Sequence, residues 1–286
     1  MQPDIGLVAA RFLATGLLLV LAGVPFQLAI NDKKVLAREV RGLIAVLAAS
    51  ALVASVWWAL ESVAAMASTS VLALDRATVL AVFEATPLGA VLAVRIAALA
   101  CLIVAAMLAA RTLPILFFAL VALASSAWTG HSGAAQGGYG LFQRLLDVVH
   151  LGGASLWLGA LLVFLASVLR EDDRPSLVRS LSAFAVTGTI VVCALALTGG
   201  INAVMIGSEG WSMASGWTQL LAVKVFLFLA MLGLAAQNRW RLTPALAQGV
   251  PGAERRLVRS LALEAACALA IVAIVAVLGL LDPAAS

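Results

Sequence analysis

The sequence predicts an all-α membrane protein, an eight-transmembrane-helix bundle with both termini on the outer side of the membrane. Three observations lead there. Of the 286 residues, 64% are hydrophobic and 11% charged, against about 25% charged in a soluble domain. The apolar residues come in runs near the roughly 20 needed to cross a bilayer. They lack the period-two alternation of a barrel strand, so the backbone must satisfy itself as helix. Finally, Lys and Arg collect in alternate connections between the runs.

The runs cover 6–30, 41–66, 88–110, 113–130, 143–169, 181–206, 217–237 and 258–281. They fill 1–286 as a single integral membrane domain, with no room for a soluble one. The loop after the first run carries Lys33, Lys34, Arg38 and Arg41, and the loop after the fifth carries Arg170, Arg174 and Arg179. The loop Asn238–Ser260 carries Arg239, Arg241, Arg255, Arg256 and Arg259. The alternate loops are nearly free of basic residues. The positive-inside rule puts the basic loops in the cytoplasm. The net charge of +4 is then a topology signal and not a nucleic-acid footprint. The first run lacks a basic region ahead of it and a clear cleavage site, so it is expected to be a retained helix.

Between the second and third runs, "LDRATVLAVFEATP" alternates apolar and charged residues and suggests a short helix lying at the interface. Pro25 and Pro114 suit a helix kink and a helix start. Gly152, Gly153, Ser155, Gly159 and Ala160 make the fifth run small-faced, which permits close helix approach. Cys101, Cys193 and Cys267 all fall mid-run, show no disulfide framework and are expected as small apolar core residues. Trp128, Trp211 and Trp217 suit an interfacial belt.

The polar residues inside the runs are few, and such residues are functional hypotheses by default. Arg11, Arg95 and Lys224 lie one to two turns inward from the outer ends of the first, third and seventh runs. At similar depth the fifth run carries Asp147 and His150, three apart and therefore on one face. Snorkelling of the cations and ion pairing of Asp147 with Arg95 or Lys224 are the structural readings of this layer. The chain has two histidines, His131 and His150, and both fall on the outer side. Neutral imidazoles suit copper, zinc or haem iron, and thioethers favour Cu(I). Met205 and Met213 flank the outer end of the sixth run, and Met66 ends the second. Asp147 is placed to hold the imidazole tautomer, Trp157 to wall the pocket two turns deeper, and Asn202 to cap or bridge helix ends. Glu264, near the inner end of the last run, is the main polar group outside this layer.

Several stretches together resemble the copper resistance D (CopD) family of bacterial inner-membrane proteins. They are "ARFLATGLLLVLAGVPF", "GHSGAAQGGYG", "DVVHLGGASLWLGALL", "TGGINAVM", "LLAVKVFLFLAMLGLAAQNRWRLTPAL" and "SLALEAACALAIVAIVAVLGLLDP". The resemblance covers nearly the whole chain and is densest from Trp128 to Pro244. It implies an eight-helix inner-membrane protein, with both termini periplasmic, that moves copper between periplasm and cytoplasm. The implied partner is a small periplasmic copper-binding protein of the C type. Matched by motif are His131, His150, Asp147, Arg11, Arg95 and Lys224, with Asn238 and Arg239 in an inner loop. The sequence differs from some relatives in lacking a methionine-rich outer loop and a fused partner domain.

The resulting expectation is a copper-handling permease, with Cu(I) held by His131, His150, Met205 and Met213 and import as the direction. Two alternatives stand beside it. One is a haem-binding redox protein, with haem b ligated axially by His131 and His150 and its propionates paired with Arg11, Arg95 and Lys224. The other is a membrane scaffold for periplasmic copper chaperones. No nucleophile–base pair, phosphate loop or carboxylate dyad appears, so no enzyme is expected.

Overall fold

The structure, a computed structural model, describes residues 4–108, 111–129, 137–170, 173–207, 212 and 215–281. His131, Met213 and Trp211 lie outside the described residues. The helices are α1 (Ile5–Ile30), α2 (Arg38–Met66), α3 (Arg76–Ala85), α4 (Leu88–Leu108), α5 (Thr112–Ala124), α6 (Gly137–Leu169), α7 (Arg174–Ile206), α8 (Gly216–Gln237), α9 (Thr243–Ala247) and α10 (Ala253–Leu278). Among the described residues, Val35 and Arg111 form an isolated antiparallel bridge, and no strand is present.

Seven of these segments are long and apolar enough to cross a membrane, α8 and α9 counting as one continuous segment to Ala247. The expected fourth span, 113–130, is the exception. It is a shorter apolar helix, Thr112–Trp128, whose last turn, Ser125–Trp128, tightens to a 3-10 helix. At 1.5 Å per residue it reaches only about 26 Å, against a hydrocarbon core of about 30 Å. Pro114 stands in its first turn, where no intrahelical N–H is needed. Pro25 lies inside α1, which continues through it to Ile30.

Two expected loops are largely helix. α7 starts at Arg174, with Asp173 accepting a hydrogen bond from Ser176 N at 3.1 Å and Pro175 in its first turn. That pairing is a standard helix start. Asn238, expected in a loop, instead opens a π-helical turn, Asn238–Leu242, that carries α8 into α9. The chain leaves α9 and enters α10 through Gly249 and Gly252, at φ 69° and 74°, a left-handed backbone that glycine adopts without Cβ strain.

The short helix read from the sequence between the second and third runs is α3. Asp75 caps it by accepting from Thr78 N at 2.7 Å, which satisfies one of the free N–H groups of the first turn.

α1 is central and packs against α2, α5, α6 and α10. Its contact with α6 is very close. A Cβ on Gly23 would overlap Ser155 O, and one on Gly159 would overlap the Gly23 backbone. The small face expected of the fifth span is used in this way, letting two backbones touch. One core joins α1, α2, α4 and α5, and a second joins α6, α7, α8 and α10. α7 and α8 are the least buried spans, with 11% and 6% of their most apolar window inside the protein, against 33–44% for the others. α7 leans on α6 and α8 leans on α10, so a cleft runs between them.

Two of the three cysteines do not lie in the core. Cys101 and Cys193 are exposed, and Cys267 is half-buried. Cys101 and Cys193 sit on outward faces of their helices, whereas Cys267 packs against the α6–α7–α8–α10 core.

Candidate functional site between α6, α7 and α8

Asp147 and His150 on α6 face Thr198 and Asn202 on α7. The helices run antiparallel, so the residue nearer the start of α6 meets the residue nearer the end of α7. Asn202 Nδ2 donates to Asp147 Oδ1 at 2.6 Å. One turn along, His150 Nδ1 lies 2.9 Å from Thr198 Oγ1. Spacings of three on α6 and four on α7 place each pair on one face, so the two hydrogen bonds form consecutive rungs.

The Thr198 rung sets the imidazole tautomer. Thr198 Oγ1 also donates to Ala194 O at 2.6 Å. A hydroxyl has one proton, and with that proton on the carbonyl, Oγ1 accepts from His150 Nδ1–H. Nε2 then carries the lone pair, the arrangement of a metal-ligating imidazole held by an outer hydrogen bond. Gly199 makes room for the ring, since a Cβ there would approach His150 Cε1 to 3.2 Å.

Lys224, from α8, lies near enough for its charge to act on both Asp147 and His150. Met205 shares the α7 face of Thr198 and Asn202, at positions i, i+4 and i+7, and is half-buried. Met66 ends α2, 53% exposed; α2 packs on α1, α3 and α4. Among the described residues no group of three His, Cys, Asp or Glu side chains converges to hold a metal.

The remaining cations of the expected polar layer belong elsewhere. Arg95 is buried; it donates to Ser125 Oγ at 2.9 Å and Ser126 Oγ at 3.0 Å, and its guanidinium stacks on Trp58 at 4.8 Å. It ties α4 to the end of α5 and to α2, and does not pair with Asp147. Arg11 donates to Gly279 O at 3.2 Å, placing positive charge at the C-terminus of α10, where the helix dipole favours it. The layer is therefore three local clusters at similar depth. The haem reading is not favoured, because two of its three propionate partners are already engaged.

Trp157 lies two turns deeper than His150 and lines, with Phe184, Asn238 and Glu264, a cavity of about 290 Å³ that His150 does not line. Trp217, expected in the interfacial belt, is 5% exposed; Trp128, at 41%, suits that belt. Thr198 and Gly199 were not legible as site residues. The signal for Thr198 was its spacing of four from Asn202, which means something only once α7 is known to face Asp147 and His150.

Residues 1–141 match the family model "Copper resistance protein D-like, N-terminal domain", and residues 178–278 match "Copper resistance protein D". "Copper resistance protein D" of Pseudomonas syringae pv. tomato is 35% identical over 176 residues, 57% of this chain and 56% of that protein. "Inner membrane protein YebZ" of Escherichia coli (strain K12) is 27% identical over 182 residues, 62% of this chain and 63% of that protein. The chain thus spans less than two thirds of the length of these curated relatives. No solved structure matches it. Seven apolar helices of membrane-crossing length, together with two family models that between them run along most of the sequence, make the chain a multi-pass inner-membrane member of the copper resistance protein D family.

Proposed function

We propose that this chain captures Cu(I) at the periplasmic end of the α6–α7–α8 cleft and moves it inward across the membrane. The observation that carries the reading is the His150–Thr198 pair, which turns Nε2 into the ligand nitrogen. Met205, on the adjoining α7 face, adds the soft thioether that Cu(I) prefers. His131 and Met213 complete the ligand set in this reading. Asp147 offsets the charge of Lys224 beside a cationic cargo.

The same proposal takes Thr112–Trp128 as an eighth, short span, which puts both termini on the periplasmic side. The role is carriage of an ion, without bond-making chemistry. A small periplasmic copper-binding protein of the C type would deliver the cargo.

The test is an anaerobic Cu(I) competition titration of purified protein. Stoichiometric binding that is lost in His150→Ala and weakened in Thr198→Val supports the site. Equal binding in all three proteins removes it. Capture of a periplasmic copper chaperone by a chain with no copper affinity of its own would leave the scaffold role in its place.

A further inference from the structure

Glu264 is 1% exposed on α10, and the copper site does not use it. Asn238, 7% exposed, donates through Nδ2 to Glu264 Oε1. Three buried polar atoms near this pair have no hydrogen-bond partner among the described residues: Asn238 Oδ1, Trp157 Nε1 and Ser260 Oγ. Trp157 and Glu264 line one cavity, in which Trp157 Nε1 has no hydrogen-bond partner. Such orphan groups are costly in an apolar interior, and Asn238 opens the π-helical turn that follows α8. π-turns inside helices concentrate at functional sites.

The two orphans nearest the carboxyl are complementary to its two protonation states. A neutral acid and a primary amide form two parallel hydrogen bonds, N–H to carbonyl and O–H to carbonyl oxygen. The first of these is present. The second needs a proton on Glu264 Oε2, which would give Asn238 Oδ1 its missing donor. Loss of that proton leaves a carboxylate, to which Trp157 Nε1–H can donate beside Asn238 Nδ2–H. The proton is what Asn238 Oδ1 requires, and the anion is the stronger acceptor for Trp157 Nε1–H.

The surroundings bring little competing charge. α6 and α7 line the cavity with apolar and hydroxyl side chains. Arg239 is the other charged residue lining it, and its Nη1 is directed to Thr189 Oγ1 at 3.1 Å and Ala185 O at 3.4 Å on α7. The donor set is all oxygen and N–H, which suits a proton and not soft Cu(I). The site also lies in line with the outer one. His150 and Trp157 are seven apart on α6, and Lys224, Met231 and Asn238 are seven apart on α8, so each set follows one helix face. A rise of about 10 Å separates successive members.

We infer that Glu264, Asn238 and Trp157 form a proton-binding site in the inner half of the same cleft, and, resting on the transport reading above, that its proton is released to the inner side as copper moves. The step is Glu264–COOH to Glu264–COO⁻ plus one proton delivered to water.

The first experiment omits copper: an infrared pH titration of the full chain, following the carbonyl stretch of protonated carboxyl groups. One titrating band that is absent in Glu264→Gln supports the site. Trp157→Phe, which removes a donor to the anion, is expected to move the midpoint about one pH unit higher, a tenfold change in proton affinity. Identical titrations in the native chain and both variants overturn it. The second experiment adds Cu(I) to proteoliposomes holding a pH-sensitive dye. Copper-dependent proton movement that falls at least tenfold in Glu264→Gln supports coupling, and copper movement without proton movement overturns it. If the native chain moves no copper, the transport reading fails, while the infrared result still decides the proton site.

Discussion

Asn202 donates a 2.6 Å hydrogen bond to Asp147 across the α6–α7 interface, and in doing so sets the register in which Thr198 meets His150. A carboxylate within a membrane helix needs donors or a countercharge, and Asn202 and Lys224 supply one of each. The pair therefore links helix packing to the presentation of the imidazole.

Asn202→Leu removes the donor while keeping an apolar contact. Stability should fall by about 1–3 kcal/mol, read as a lower unfolding temperature in detergent, with weaker Cu(I) binding alongside. Asn202→Asp should do worse, because two carboxylates would then face each other.

Thr198→Val keeps the shape of the side chain and removes the acceptor for His150 Nδ1–H. Cu(I) affinity should drop about 10- to 100-fold, the usual effect of deleting an outer hydrogen bond to a ligating imidazole. Thr198→Ser should restore it. Equal affinity in Val and Ser variants would mean that the hydroxyl does not orient the ring.

Arg95→Leu should destabilise the protein by about 2–4 kcal/mol, since Ser125 and Ser126 lose a charged donor in a buried place. Its Cu(I) affinity per folded molecule should stay unchanged, because Arg95 belongs to the α2–α4–α5 cluster. Lys at this position should not rescue stability, as it lacks the planar fork that reaches two hydroxyls and stacks on Trp58.

Gly159→Ala puts a methyl group into the Gly23 backbone, so α1 and α6 must separate. A loss of folded, membrane-inserted protein is expected, measured by yield and monodispersity after extraction. Gly152→Ala, where a Cβ meets open space, is the control and should behave as the native chain.

Asp75, outside the membrane-spanning segments, carries a prediction about pH. Hydrogen bonds from the backbone and side chain of Thr78 hold its carboxyl below the usual range. A depressed value means that the cap contributes above the unfolded-state pKa and is lost as pH falls through the folded one. The protection of the Thr78 amide, its exchange relative to the intrinsic rate at each pH, should therefore fall on acidification in that window. Asp75→Asn should exchange independently of that titration.

The membrane-crossing helices and their order were largely legible in the sequence because hydrocarbon allows few solutions. Long apolar runs must be helices, and Lys and Arg must stay out of the lipid. The α3 helix and the small face of α6 were legible too, since each is a local pattern. Partnership between helices was not. Arg11, Arg95 and Lys224 share a depth, but only packing shows that Arg11 meets Gly279, Arg95 meets Ser125 and Trp58, and Lys224 alone stands by Asp147 and His150. Thr198 gained meaning from lying opposite His150, and Asn238 from the continuation of helix through an expected loop, which brings it onto Glu264. Depth is a one-dimensional property that a chain writes along itself. Which faces meet around the bundle depends on close contacts such as Gly23 with Gly159, between residues far apart in sequence, and those exist only once the helices have packed.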